Sequence, residues 1–311
     1  MEVMGGGGEQ PCQAEDLSTS FSIKKPRVES INPVDLSDGE PTRPEYVVLK
    51  ERTTMKMVCG SFYLSKERRD LPIEGDDAHF ICAEENIIGV ADGVGGTRKK
   101  GIDSGVYARK LMNNAVKAVH NQPRISGDSN GVDLRKVLNE AYANTKDVDG
   151  SSTACIVALN NKDGKLHAVN VGDSGFMLFR NKKCIYKSEI QIRSFNCPVK
   201  LGRKAKNGPQ SAVEINPIEV IPGDVIVLGT DGLLDNVWPE EIEQVLEENT
   251  IEGYVEPEHL AWTIAEQLAL RNSEDVNRFS PFCFASLKVG KERIGGKVDD
   301  ITVVVGHIIA T

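Results

Sequence analysis

Aspartates recur along this 311-residue sequence at the edges of apolar runs, where a strand can hold a side chain while its carboxylate faces outward. Asp76 and Asp77 precede AHFICA, Asp92 follows IIGVA, Asp231 follows VIVLGT, and Asp299 and Asp300 precede ITVVVGHII. A single Asp-Gly step is ordinarily a turn, because Asp hydrogen-bonds its own backbone and Gly accepts positive φ. Four acidic sites abutting β-prone runs ask for more, since antiparallel strands bring their ends together at one edge of a sandwich. Converging carboxylates repel one another unless cations neutralise them. Hard divalent ions suit such a set: Mg²⁺ or Mn²⁺ takes carboxylates, carbonyls and waters, whereas the scattered Cys and His offer no soft-metal cage. Two such ions about 4 Å apart share a bridging water, lower its pKa and clamp the oxygens of an in-line displacement at phosphorus. Phosphate-ester hydrolysis is the chemistry this pattern favours.

The elements that must position these carboxylates are legible in the periodicity. Strand-like runs are expected at Met55 to Leu64, Ala78 to Ala83, Ile87 to Ala91, Ala154 to Leu159, Leu166 to Val171, Phe176 to Arg180, Ile215 to Val220, Val225 to Leu228 and Ile301 to Ile309. Between two of them, Asp163-Gly164 is a strong hairpin signal. Amphipathic helices are expected from Asp103 to His120, from Asp133 to Thr145, from Pro239 onward and from Pro257 to Arg271. Strands and helices cluster instead of alternating singly, which predicts an α+β fold of antiparallel sheets with helices layered outside, not a doubly wound parallel sheet. From Tyr46 to Thr311 the sequence contains no long linker or repeat and reads as one domain; residues 1–45, rich in Gly, Ser and Pro, read as a disordered arm.

Composition narrows the partners. Lys and Arg total 37 against 46 Asp and Glu, a formal charge of −9, which repels a phosphate backbone and argues against nucleic acid. Seven cysteines, without a CxxC pair, point to reduced thiols and a cytosolic or nuclear setting. No apolar run reaches the roughly 20 residues of a membrane span, so no membrane partner is expected. Lys24-Lys25-Pro26-Arg27 resembles a basic import signal but is equally an ordinary solvated cluster, and Glu2 stands where myristoylation needs Gly.

Six segments carry a family resemblance. Gly75-Asp76-Asp77-Ala78, GVADGVGG from Gly89, GSSTACIVAL from Gly150, VNVGDSGF from Val169, VLGTDGLLDN from Val227 and DDITVVV from Asp299 resemble, in order, the motifs of the type 2C metal-dependent protein phosphatases. The nearest likeness is a divergent branch with ADGVGG, GSSTA and GDSGF, known mainly from organelles. This resemblance implies a four-layer αββα sandwich with two central, mostly antiparallel sheets. It also implies hydrolysis of phosphoserine and phosphothreonine on phosphoprotein substrates by a water or hydroxide bridging two Mg²⁺ or Mn²⁺ ions; a monomer is expected, although no residue pattern encodes the oligomeric state. Asp92 matches the carboxylate that bridges both ions and positions the attacking water, and the Gly93 carbonyl a further ligand. Asp77, Asp231 and Asp299 match the remaining metal ligands, Asp76 a contact through water, and Asp173 and Asp235 the residues that hold a third ion in some members.

The sequence departs from the pattern at two places. Better-known members carry DGHGG, whose His is a proposed general acid; Val94 stands there, and His79, the nearby alternative, sits in a strand start where a packed core role is the commoner one. The Arg that binds substrate phosphate in many members is replaced by Pro72, leaving Arg68 or Arg69 as candidates, with Arg98 and Lys99 weaker. Ser151, Ser152 and Thr153 read as packing hydroxyls. The basic segment Ile190 to Ala212, with Lys200, Arg203, Lys204 and Lys206, is expected to border the cleft. A pseudophosphatase that binds phosphoproteins without turnover is the alternative. A haloacid-dehalogenase-type enzyme ranks behind both, because neither ADGVG nor TDGLLD has its DxD spacing.

Overall fold

The computed structural model describes residues 54–67, 74–96, 101–122, 131–161, 163–205 and 208–311. The proposed arm, the basic cluster at Lys24, Arg68, Arg69, Pro72, Arg98, Lys99 and Lys206 lie outside the described residues. Along the chain run β1 (Met55–Leu64), β2 (Asp77–Cys82), β3 (Ile87–Asp92), α1 (Ser104–Asn121), α2 (Leu134–Ala143), β4 (Ser151–Ser152), β5 (Ala154–Asn160), β6 (Lys165–Val171), β7 (Gly175–Arg180) and β8 (Lys183–Lys187). Next come β9 (Ile192–Ser194), β10 (Cys197–Pro198), β11 (Leu201–Gly202), β12 (Val213–Glu219), β13 (Val225–Gly229), α3 (Asp231–Leu234) and α4 (Pro239–Asn249). The short β14 (Thr250–Ile251) and β15 (Tyr254–Val255) precede α5 (Pro257–Trp262), α6 (Arg271–Glu274), α7 (Pro281–Lys288) and the final β16 (Ile301–Ala310).

Two five-stranded antiparallel sheets form the centre, ordered β1-β16-β13-β7-β8 and β12-β6-β5-β3-β2. Period-two alternation sorts their side chains into layers. On β3, Ile88 and Val90 face the other sheet and meet Phe176, Leu178, Ile226, Leu228 and Val304. Ile87 and Ala91 of the same strand face Leu111, Ala115, Val137 and Leu138 of α1 and α2. On the opposite side, Val303 and Val305 of β16 pack against Leu260, Ile264 and Leu268. Helices on sheet, sheet on sheet and sheet on helices make the four expected layers.

Local chemistry explains the helix starts: the Asp103 carboxylate accepts from Gly105 N at 2.9 Å, and Asp133 caps Lys136 N at 3.0 Å. Asn160 pairs with Lys165 across the Asp163-Gly164 turn, as the hairpin signal predicts. Several elements differ from expectation, α7 and the short strands β9, β10, β11, β14 and β15 among them. The helix begun at Pro257 runs on to Glu274, with Thr263–Leu270 wound as a π-helix. β8 was not apparent in the sequence, because this edge strand alternates exposed Lys183, Ile185 and Lys187 with half-buried Cys184 and Tyr186 and buries no continuous apolar face.

Register fixes where the aspartates meet. Asp77 opens β2 directly opposite Asp92, which closes β3. In the other sheet Gly229, the last residue of β13, pairs with both Val303 near the start of β16 and Gly175 at the start of β7. The segments bearing Asp173, Asp231 and Asp299 therefore leave that sheet at one edge.

Candidate metal centre

Carboxylates of Asp92, Asp173 and Asp231, two from one sheet's edge and one from the other's, offer oxygens that all lie within 4.8 Å of one another. Asp173, which the resemblance reserves for a third ion, thus sits with Asp92 and Asp231 in one group. Its Oδ1 is buried and has no hydrogen-bond partner. An orphaned buried carboxylate oxygen costs free energy unless a cation or proton satisfies it.

The backbone that carries Asp92 is held on both sides. Asp92 N donates to Thr153 Oγ1 at 3.0 Å and Thr153 N donates to Asp92 O at 2.9 Å, while Thr153 Oγ1 and Ser174 Oγ share a 2.7 Å hydrogen bond. These hydroxyls position the aspartate, in line with their packing role. Gly93 permits close approach of chains: a Cβ there would lie 2.5 Å from Asp76 O and 2.6 Å from Ser104 O. Val94 contributes only backbone, accepting from Ser104 Oγ at 2.7 Å. On the facing sheet Gly232 has the same role, since its Cβ would stand 1.9 Å from Asp300 O.

Asp77 joins the two sheets. Its Oδ2 accepts from Thr230 Oγ1 and Thr302 Oγ1, each at 2.7 Å. Asp300 has a structural role that the sequence did not reveal: it accepts from Lys66 N at 2.7 Å and from Asp76 N at 2.5 Å, fastening the end of β1 to the start of β2. Asp76 itself is buried beside Lys66 Nζ, at 3.2 Å.

Two lysines answer the clustered charge, and neither was singled out from sequence. Lys66 Nζ lies 2.9 Å from Asp299 and Lys297 Nζ lies 3.0 Å from Asp235 and 3.3 Å from Asp299, with a further ion pair from Lys297 to Asp231. Asn236, fully buried, fixes Lys297 by accepting from its N and donating to its O, both at 2.8 Å. A Lys two residues before a metal-type Asp was the available signal, but an isolated lysine in a glycine-rich loop is ordinarily solvated. Of the other basic candidates, Arg203 and Lys204 pair with Asp149 at 3.9 and 3.5 Å.

Two ammonium groups do not balance the eight aspartates Asp76, Asp77, Asp92, Asp173, Asp231, Asp235, Asp299 and Asp300. Burial, reinforced by Asp231, Asp77, Asp299 and Asp173, holds the Asp92 carboxyl well above the usual range. Burial also raises Asp77, with Asp300 adding to the effect. Asp231 is pushed up to about 8 and Asp173 to about 6, chiefly by burial, although Lys297 opposes both. At Asp299 burial acts upward too, but Lys297 and Lys66 outweigh it and lower the group. Carboxyls that are this reluctant to ionise, around an unsatisfied oxygen, fit a hard divalent cation as the missing counter-charge.

His79, by contrast, shares a 3.0 Å hydrogen bond with Ser61 Oγ and is depressed by burial, in keeping with its packed-core reading. Cys82, Glu85 and His120 also come within 4.8 Å of one another, a proximity that the spacing of cysteines and histidines did not suggest.

Comparison with known proteins identifies relatives over most of the chain. The family described as "Stage II sporulation protein E (SpoIIE)" matches residues 84–277. "Probable protein phosphatase 2C 55" of Arabidopsis thaliana is 42% identical over 257 residues, covering 83% of this chain and 53% of the relative. "Protein phosphatase PTC7 homolog fig" of Drosophila grimshawi is 37% identical over 248 residues, 75% of this chain and 79% of the relative. The chain belongs to the type 2C protein phosphatase family. The "photosystem II phosphatase PBCP" superposes on this type 2C chain with a TM-score of 0.70 at 27% identity, covering 81% of it and 98% of that structure. The catalytic domain of "serine threonine protein phosphatase PstP in complex with 2 Manganese ions" shares the type 2C fold at TM-score 0.57 and 18% identity, over 82% of this chain and all (100%) of that one. The chain spans about half the length of the first Arabidopsis relative and 60% of a second, "Probable protein phosphatase 2C 80".

Proposed function

We propose that residues 46–311 form a divalent-metal-dependent phosphatase domain that removes phosphate from phosphoserine and phosphothreonine in proteins. The observation that carries this reading is the convergence of Asp92, Asp173 and Asp231 around an unsatisfied buried oxygen. Asp92, Asp231, Asp173 and Asp299 are the side chains that would hold Mg²⁺ or Mn²⁺, with the Gly93 carbonyl beside them; the two manganese ions of PstP support a pair of ions. When bound, such ions supply an activated water and Lewis-acid stabilisation of the phosphoryl oxygens.

The chain's own residues do the rest. Thr153 and Ser174 hold Asp92, and Thr230 and Thr302 hold Asp77, so the carboxylates keep their spacing without reorganising. Lys66 and Lys297, released from part of their carboxylate pairing once other positive charge neutralises the cluster, would offer charge-assisted hydrogen bonds to the substrate phosphate. That role would fall to them in a chain where the family resemblance puts Pro72 at the position of the phosphate-binding Arg of many members. A reducing compartment such as cytosol or nucleus remains the setting proposed from the cysteine pattern of the sequence.

The test is hydrolysis of p-nitrophenyl phosphate and a phosphothreonine peptide with Mn²⁺, with EDTA, and with Asp92→Asn or Asp231→Asn. Turnover abolished by EDTA and by either substitution supports the reading. Activity indifferent to EDTA overturns it.

A further inference from the structure

α7 is apolar on two faces. Phe282, Cys283 and Ser286 are buried, whereas Phe284 and Leu287 are 40% and 46% exposed and share the outer face with Lys288. A helix packed on one side ordinarily turns polar residues outward, so an apolar outer face marks a second contact. Trp238 and Phe279 extend it: the Phe284 ring lies 5.9 Å from Trp238 and 6.0 Å from Phe279, which is itself 57% exposed. Lys288 Nζ stands 4.3 Å above the Phe284 ring.

Charge around this face runs against the rest of the chain. Between Val276 and Val298 there are five Lys or Arg and one Glu, in a protein of net charge −9. Arg278 is spent on Glu241 and Lys297 on the cleft aspartates, which leaves Lys288 over the outer Phe284 ring, and Lys291 and Arg293 over Phe195 and Phe282 on the cleft side of the helix, against the single Glu292. On its buried side the helix itself borders the carboxylate cleft. Phe282 N donates to Asp235 O at 3.0 Å, and Lys297 Nζ lies 5.5 Å from the Phe282 ring.

We propose that the outer face of α7 docks an acidic segment of the phosphoprotein whose phosphoresidue enters the cleft. An apolar side chain of that segment seats on Phe284 and Leu287, and its carboxylates meet Lys288, Lys291 and Arg293. The proposal rests on the phosphatase reading and names the class of substrate it selects: phosphosites flanked by acidic and apolar residues. Rings anchor and cations steer, so affinity falls with ionic strength.

The experiment uses the full chain with Mn²⁺ and two double variants, Phe284→Ser with Leu287→Ser and Lys288→Glu with Arg293→Glu. Substrates are p-nitrophenyl phosphate, a phosphothreonine peptide carrying Leu and several Glu, and its Glu→Lys counterpart. Expected is a KM for the acidic peptide raised about tenfold in each variant, the loss typical of truncating an interface anchor, with kcat and p-nitrophenyl phosphate turnover unchanged. An unaltered KM, or equal use of the Lys peptide by the wild type, overturns the proposal. Should the wild type fail to hydrolyse p-nitrophenyl phosphate, the phosphatase reading falls, and docking is then read separately. In a Trp262→Phe background, Trp238 fluorescence is titrated with an acidic phosphonate peptide. A response lost in both variants supports docking; no response, or one to phosphatidylserine vesicles in place of the peptide, overturns it.

Discussion

Replacing Lys297 with Met should weaken the metal-free protein and tighten its hold on Mn²⁺. The ammonium lies 3.0 Å from Asp235 and 3.3 Å from Asp299, is bonded to Asp231, and belongs to a side chain only 13% exposed. Removing one partner of a buried ion pair costs roughly 3–5 kcal/mol, because the other charge stays behind. Asp235 and Asp299 are 25% and 22% exposed, so solvent screens two of the three pairs. The expectation is therefore about 2–3 kcal/mol. For a chain of this size that lowers the metal-free Tm by about 4–12 °C. A divalent ion entering the variant no longer displaces an ammonium, so the same energy bounds the gain in Mn²⁺ affinity at roughly 30- to 150-fold. Calorimetric melting with and without Mn²⁺, together with isothermal titration, reads both quantities. The KM for p-nitrophenyl phosphate should rise at the same time, since Lys297 also serves the phosphate. An unchanged metal-free Tm with unchanged or weaker Mn²⁺ binding would refute the reasoning.

Other consequences follow from the same contacts. Thr302→Val removes one hydroxyl from the buried Asp77 carboxylate and should cost about 1–3 kcal/mol by denaturant unfolding. Gly232→Ala forces a Cβ into Asp300 O and should destabilise by at least about 1–3 kcal/mol, with Mn²⁺ affinity lost in proportion as α3 shifts. Burial depresses His79 below its ordinary 6.5, so the unfolded chain binds the proton better. Its contribution is complete above pH 6.5 and is lost as pH falls toward the folded value, with a slope of at most about 1.4 kcal/mol per pH unit. His79→Asn should flatten that acid limb in urea melts between pH 7 and pH 5; an identical limb would show that His79 does not report on it.

The sequence made the carboxylate edge legible because four acidic sites recur at the ends of β-prone runs, a pattern that a single turn-forming Asp does not make. Strand ends also set the register, and Asp77 opposite Asp92 follows from the shared β2–β3 hairpin. The roles of Lys66, Lys297 and Asp300 were not legible, since each depends on a contact spanning more than sixty positions that no local pattern encodes. Asp173 was placed last among the ligands from motif resemblance, yet its unsatisfied Oδ1 makes it central; burial of one oxygen is a tertiary fact. β8 escaped for the same reason, as an edge strand that buries alternate residues only halfway.

The central claim is that Asp92, Asp173 and Asp231 gather to hold a divalent cation. Crystals soaked in Mn²⁺ and measured at the manganese absorption edge test it most directly. Anomalous density among these three carboxylates, absent in an Asp173→Asn variant or displaced from it, is the predicted result. Density elsewhere on the surface, with the three carboxylates bare at saturating Mn²⁺, would contradict the account.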